Sequence, residues 1–445
     1  MTRFREKTRP MLPRGVATFL PEATARKRYV EETILSVFMQ WGYQEVIPPL
    51  FEYLDVITVG LGEDLIEKSY KFVDRANGRL MLLRPDVTPQ IARMVAMLMA
   101  DTPKPLRLCY RANVFRHEEE HAGRAREVFQ IGGELVGLPG LEADAEIIAI
   151  AIESLRRLGL VDFKVALGHS EFFRGLLNNL NLPPEVQRRI KGAVARKDLS
   201  RLEDILKAEQ IPQSRARAIM TVPKLFGKGE VIKQAAALSE VPGCKQALAR
   251  LRQVYEILKS SGWEDYLMVD LSELRGFDYY TGMVFEVFAK DLGYSVGRGG
   301  RYDQLIGKFG KPCPSTGFAF DVEYVQWAWQ RSQALQRSKG DRAASMDQRG
   351  SFFTGADLLL VDPKQNAHRL FQIATALREK GYRVVQCAGP MTIEKACEYA
   401  KVSGIGSVIL LATQDQALLI NGKTGRRQTV KIKALPSRLK AEVRP

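Results

Sequence analysis

Strand-length apolar runs at 106–110, 128–135, 283–288 and 317–320 constrain this chain most, because each carries backbone donors and acceptors that a neighbouring strand must satisfy. Helical periodicity interrupts them at 90–99 and 143–158. Two further runs, 70–73 and 80–83, flank Ala76-Asn77-Gly78, which is the turn chemistry of a β-hairpin. Hairpins with helices packed outside them describe an α+β fold on a mixed, mainly antiparallel sheet. Ahead of them, 22–41 sets Val30, Ile34 and Phe38, and then Leu35 and Met39, at helical spacing, with Arg26, Lys27 and Arg28 expected on the wet side. Gly42 ends that helix. Glu45-Val46-Ile47 follows as a strand that Pro48-Pro49 keep from continuing in a central ladder.

At 445 residues, 45% hydrophobic and 26% charged, the chain has material for two or three domains with cores of their own. Its longest apolar runs are of strand length, and no apolar segment with a cleavage site follows the Arg-rich N-terminus, so a cytoplasmic protein without membrane contact is expected. Five scattered cysteines with no Cys-x-x-Cys pair support neither a disulfide framework nor a zinc site. The formal charge of +15 is uneven: residues 331–445 hold 20 Lys/Arg against 9 Asp/Glu, or +11 of it. A basic module of this kind fits a polyanion, and solvated surface Lys and Arg give the same count.

From 170 to about 263 the pattern changes to short amphipathic helices with polar joints such as Leu182-Pro183-Pro184, which reads as a helical insertion within a sheet domain spanning 1–330. Residues 331–352 are polar and aperiodic, as in a linker. Beyond them, in 353–445, strand and helix alternate: 357–362, 367–380, 383–386, 392–402 and 407–411. That alternation predicts a small α/β domain with a partly parallel sheet.

Four segments gather chemistry. Phe115-Arg116-His117-Glu118, with Gly123-Arg124 and Phe129-Gln130 after it, reads as strand, loop and returning strand, and Arg116 and Glu118 alternate onto one face. A charged surface hairpin has the same appearance. Arg84-Pro85-Asp86-Val87-Thr88-Pro89-Gln90 is a strand end whose turn aims Asp86 and Thr88 outward; Asp86 can hold an ammonium group, and Thr88 with Pro89 can equally cap the next helix. Leu274 to Gly282 packs Arg275, Asp278, Tyr279 and Tyr280 into one turn. Gly297-Arg298-Gly299-Gly300-Arg301-Tyr302-Asp303 places glycines where a backbone must come close to something.

These residues carry a resemblance. Arg275 to Glu286 together with Gly299-Gly300-Arg301-Tyr302-Asp303 is similar to the paired histidine-recognition motifs of histidyl-tRNA synthetase, a class II aminoacyl-tRNA synthetase, and the match extends over residues 14 to 325. By that resemblance 22–49 is the dimer-interface motif, 115–130 the ATP-binding motif, 170–263 the insertion that touches tRNA, and the C-terminal α/β domain an anticodon-binding-like module.

The departures from the synthetase pattern are charged. Class II synthetases run a small-residue strand into a helix that begins Gly-x-Glu-Arg, where the Gly admits ATP and the Arg grips its phosphates. Here Asp321 stands for that Gly and Tyr324 for that Arg, and Glu119, Glu120 and His121 replace Arg-Pro-Gln in the loop. A carboxylate repels a triphosphate, and a phenol is no substitute for a planar fork of charged donors. The turn 84–93, the opening Leu12-Pro13-Arg14-Gly15-Val16 and the run 126–135 resemble instead the synthetase paralogues that regulate ATP phosphoribosyltransferase, the first enzyme of histidine biosynthesis. Shorter members of that family stop near residue 325, whereas this chain keeps the C-terminal module.

The resemblance implies a non-catalytic regulatory subunit with no cofactor and no metal, a homodimer within a hetero-oligomer with a short-form ATP phosphoribosyltransferase catalytic subunit. It also implies histidine as feedback effector and no tRNA partner. Asp86, Thr88, Arg116, Gln130, Arg275, Tyr279 and Tyr280 would form the histidine side of the pocket. Within it Asp86 takes the ammonium, Arg275 meets the carboxylate, and Gln130 and the tyrosines orient the ligand. Glu119, Glu120, Asp321 and Tyr324 mark the degenerate ATP side. A histidine–tRNA ligase with unusual motifs is the alternative.

Overall fold

The computed structural model describes residues 12–117, 125–178, 180, 182–238, 241–272, 279–338, 356–364, 366–387, 391–422 and 424–442. The chain divides into two compact units: Lys27–Leu335 together with Met1–Thr18, and Gln336–Pro445 together with Phe19–Arg26.

The larger unit is built on a nine-stranded sheet. Its spatial order runs Gln44–Glu45, Leu106–Phe115, Glu127–Val136, Ser315–Asp321, Ser295–Arg301, Met283–Ala289, Phe163–His169, Leu267–Asp270 and Phe226–Gly227. The pairings Gln44–Glu45 with Leu106–Phe115 and Phe163–His169 with Leu267–Asp270 are parallel, and the others are antiparallel. The sheet is therefore mixed and mainly antiparallel, as the hairpin pattern predicts. A separate three-stranded sheet joins Phe51–Tyr53, Leu80–Leu83 and Lys71–Val73, which is the hairpin around Asn77 plus one strand.

The helix Pro21–Gln40 buries Val30, Ile34, Leu35, Val37 and Phe38. Phe38 fills the place where a side chain at Gly133 would stand, since a Cβ there would lie 2.3 Å from its ring, and it stacks on Phe318 with centroids 5.5 Å apart. Each such buried side chain contributes roughly 1.5–3 kcal/mol. Two expectations for this helix need correction. Lys27 is not on the wet side: it is buried, ion-paired with Glu31 one turn on, and sits over the Phe129 ring at 3.6 Å. A desolvated ammonium needs such a partner, and the i,i+4 carboxylate supplies it. Met39 is 55% exposed, because it falls to the side of the stripe that Val30, Ile34, Val37 and Phe38 bury.

The insertion is helical from Ser170–Asn178 to Pro242–Ser260, apart from the short strand Phe226–Gly227 that joins the sheet edge. Pro242–Ser260 buries Ala247, Leu248, Leu251, Val254, Tyr255 and Leu258, the one-sided stripe expected of a helix lying on the sheet domain. The polar stretch from 331 differs from the linker expected there: the helix Val322–Ser338 continues through its first residues.

In the smaller unit the strands are ordered Val384–Gln386, Leu358–Val361, Ser407–Leu411, Gln416–Asn421 and Arg427–Lys431. The first three are parallel and the last two add an antiparallel hairpin, so the alternating pattern correctly implies a partly parallel sheet. Leu358 and Leu360 face a core with the helix Ala367–Glu379, and Leu359 and Val361 face a second core with Ile393–Val402. A strand covered on both faces must be apolar throughout, which explains the unbroken Leu-Leu-Leu-Val. Among the described residues no helix is long and apolar enough to cross a membrane.

Candidate functional site

A cleft opens on one face of the large sheet, where the turn 84–88, the strands Glu127–Val136, Ser295–Arg301 and Ser315–Asp321, and Tyr279 and Tyr280 converge. Asp86, Thr88, Arg116, Gln130, Tyr279, Tyr280, Asp321 and Tyr324 all line it. Residues read from four separate stretches of sequence thus meet in one place.

The turn is fixed from below. Arg84 is buried and donates from Nη1 to Pro48 O at 2.8 Å and from Nε to Asn113 O at 2.5 Å, which sets the backbone ahead of Asp86. Asp86 is itself buried rather than aimed outward; its Oδ1 accepts the Val87 N–H at 2.9 Å and its Oδ2 accepts the Tyr279 hydroxyl at 2.9 Å. Burial pushes the Asp86 carboxyl up, while the Arg116 charge and the Tyr279 hydrogen bond pull it back down. Thr88 does not cap the helix Thr88–Leu98: Val87 occupies the cap position without a side-chain bond. Its hydroxyl is taken elsewhere, donating to Glu134 Oε1 at 2.7 Å.

Glu134 was not among the residues singled out from sequence, yet it sits under the cleft floor at 1% exposure, with Thr88 on one oxygen and the Tyr302 hydroxyl on the other. Burial raises its carboxyl to about 8, so it keeps a proton at neutral pH. The sequence signal was present: Glu134 is the one acid in the run Gln130-Ile131-Gly132-Gly133-Glu134-Leu135. Gly317 is its complement across the sheet, since a Cβ there would lie 1.5 Å from Glu134 Oε2.

A pH dependence follows. Because the folded value of about 8 lies above the ordinary 4.5, the folded chain holds this proton more tightly than the unfolded one. The associated stability is full below the ordinary value and is lost as pH rises through the folded value. Glu134→Gln should remove that decline, so its stability relative to the natural chain should grow by on the order of 3 kcal/mol between about pH 5 and about pH 8. Denaturant titrations at both pH values check this, and parallel pH profiles for the two proteins would contradict it.

The outer half of the cleft carries the charges. Arg116 donates from Nε to Pro85 O at 2.7 Å, and its cation faces Asp86 and Asp321. Gln130 is the register partner of Asp321 across the sheet, and its Oε1 is buried with no hydrogen-bond donor among the described residues. Asp321 closes its strand and accepts the Tyr324 N–H at 3.4 Å, which caps the helix Val322–Ser338. Burial lifts Asp321 to about 6, and burial together with Asp321 lifts the neighbouring Glu323 to about 7. Tyr324 packs against Tyr294 in a tilted pair with centroids 4.5 Å apart and against Trp327 at 5.4 Å.

The helix start that would receive an anion is therefore occupied by the chain's own carboxylate, with an aromatic cluster beside it. Glu119, Glu120, His121 and Arg275 lie outside the described residues. Among the described residues no group of three or more His, Cys, Asp and Glu could hold a metal ion.

The chain is similar to known proteins. Residues 15–325 match the family model described as histidyl-tRNA synthetase. A relative from Syntrophotalea carbinolica is 37% identical over 96% of each chain, and one from Moorella thermoacetica is 40% identical over 88% of this chain and 96% of its own. Both are called ATP phosphoribosyltransferase regulatory subunit. Among solved structures, a Bacillus halodurans C protein described as ATP phosphoribosyltransferase regulatory subunit/histidyl-tRNA synthetase superposes with TM-score 0.74 at 28% identity, covering 92% of this chain and 99% of that one. The histidyl-tRNA synthetase of Nostoc sp. PCC 7120 superposes with TM-score 0.76 at 20% identity over 98% of this chain and 99% of that one, a likeness of fold.

Proposed function

The chain belongs to the family of ATP phosphoribosyltransferase regulatory subunits, and on that premise we propose that it is a non-catalytic subunit in which a synthetase-type cleft has become a histidine sensor. Its partner is a short-form ATP phosphoribosyltransferase catalytic subunit, which it activates and places under histidine feedback, and it acts as a homodimer within that hetero-oligomer. The observation that carries this reading is the capped helix start: Asp321 places its own carboxylate at the helix N-terminus that would meet a phosphate and accepts the Tyr324 N–H there. The amino-acid half of the cleft is kept by contrast, with Asp86 buried under Tyr279 and beside Arg116. In this reading Asp86 receives the α-ammonium group, and Gln130, Tyr279 and Tyr280 orient the imidazole. No tRNA partner is required.

Reconstitution tests it. Mixed with a short-form catalytic subunit, the full chain should produce ATP phosphoribosyltransferase activity that neither protein shows alone, and histidine should then suppress it. A coupling of about 1–3 kcal/mol between the two sites is the scale to expect, a five- to 150-fold change in apparent affinity. Failure of the two proteins to associate, or activity indifferent to histidine, would count against it.

A further inference from the structure

We infer that Arg298 holds the carboxylate of the amino acid in the cleft, an assignment that rests on the reading of the cleft as a histidine site. Glu286, Arg298, Ala319, Gly132 and Tyr110 are successive partners across the sheet. Residues opposed in antiparallel strands share a face, so Arg298 rises from the same floor as Gln130, two positions from Gly132 along its own strand. Ala319 keeps that floor low beside it, and the Tyr110 hydroxyl lies over Gly132. Gly132 admits nothing larger, because a Cβ there would lie 2.4 Å from Phe318 O and 2.8 Å from the Tyr110 hydroxyl. Arg298 lines the cleft together with Gln130 and Ala319.

Its own ties are light. Nη2 donates to Ser295 Oγ at 3.2 Å, the Glu286 carboxylate stands 4.0 Å from Nε, and the side chain is 43% exposed. Arg116 and Arg298 are the cations that line the cleft among the described residues, and Arg116 Nε already serves Pro85 O. An amino acid presents its ammonium and carboxylate only a few ångströms apart. With the ammonium at Asp86, the carboxylate needs a donor fork farther along the floor, and a planar guanidinium offers two parallel N–H groups of matching geometry. Arg275, which the family resemblance places at the carboxylate, can share the load without altering this assignment.

The test is calorimetric titration of the full chain with L-histidine and with L-histidinol, in which a hydroxymethyl group replaces the carboxylate. Arg298→Ala should weaken histidine binding about 10- to 100-fold and leave histidinol binding unchanged. Arg298→Lys should recover part of the loss, and unaltered histidinol binding doubles as the control for folding. If the natural chain binds histidine and Arg298→Ala binds it equally well, or loses both ligands alike, Arg298 is not the carboxylate anchor. If the natural chain binds no histidine, the reading of the cleft falls, and this assignment with it.

Discussion

Replacing Arg301 with Met should cost about 3–5 kcal/mol of folding stability, among the largest losses a single change can cause here. The side chain is 2% exposed and fully engaged: Nε donates to Asp144 Oδ1 at 2.9 Å, Nη1 to Asp303 Oδ1 at 3.0 Å and Leu138 O at 3.2 Å, and Nη2 to Gly140 O at 3.1 Å. Methionine fills a similar volume but donates nothing, so the part-buried Leu138 carbonyl loses its donor, Gly140 O keeps only the 3.4 Å bond from Arg250, and the 1%-exposed Asp144 keeps only Arg250, at 3.0 Å. Breaking a buried pair from one side strands the other charge, whereas removing both partners relieves it. Arg301→Met with Asp144→Leu should therefore be more stable than Arg301→Met alone. Urea unfolding of the two variants measures this, and a loss under about 1 kcal/mol for the single change would contradict it. Arg301 ends the strand that carries Arg298, so the network also holds the cleft floor in register.

Much of the fold was legible because local pattern and tertiary need agree. The strands Leu106–Phe115, Glu127–Val136 and Met283–Ala289 are apolar enough to announce themselves, and Gly42, at φ +81°, stops its helix where the periodicity ends. The strand Ser295–Arg301 was not legible as a strand, since Gly297, Gly299 and Gly300 give it almost no intrinsic preference for extended structure. Its neighbours decide the matter. A Cβ at Gly297 would lie 2.5 Å from the Phe320 ring, one at Gly299 2.4 Å from Phe318 Cβ, and one at Gly300 2.6 Å from Met283 O and 2.9 Å from Tyr280. The glycines are there because large side chains from adjoining elements occupy their space, a fact local spacing does not carry.

The candidate site divides in the same way. Asp86, Tyr279 and Tyr280 stand in turns dense in polar groups, whereas Arg116, Gln130, Asp321 and Tyr324 were legible through the resemblance to the synthetase motifs and the departures from them; all of them line one cleft. Glu134 and Lys27 were misjudged in different ways: Glu134, a single acid in a glycine-rich strand, was not singled out, and Lys27, between two arginines, was placed on the wet face. Both are buried, and each is matched by partners that only the fold brings near.

The other large effect concerns adenylate formation, which the proposed non-catalytic role excludes. Removing a single electrostatic clamp from a transition state typically costs on the order of 100- to 1000-fold in rate. Here the cation expected at 324 is a tyrosine packed against Tyr294, and the Tyr324 backbone N–H at the helix start is turned to Asp321. The two losses together should suppress adenylate formation by at least about 10,000-fold relative to a working synthetase. Histidine-dependent exchange of labelled pyrophosphate into ATP, measured on the purified full chain, tests this most directly. No exchange above the rate without protein is expected; exchange that rises with histidine and saturates would show that Asp321 and Tyr324 do not close this cleft to nucleotide.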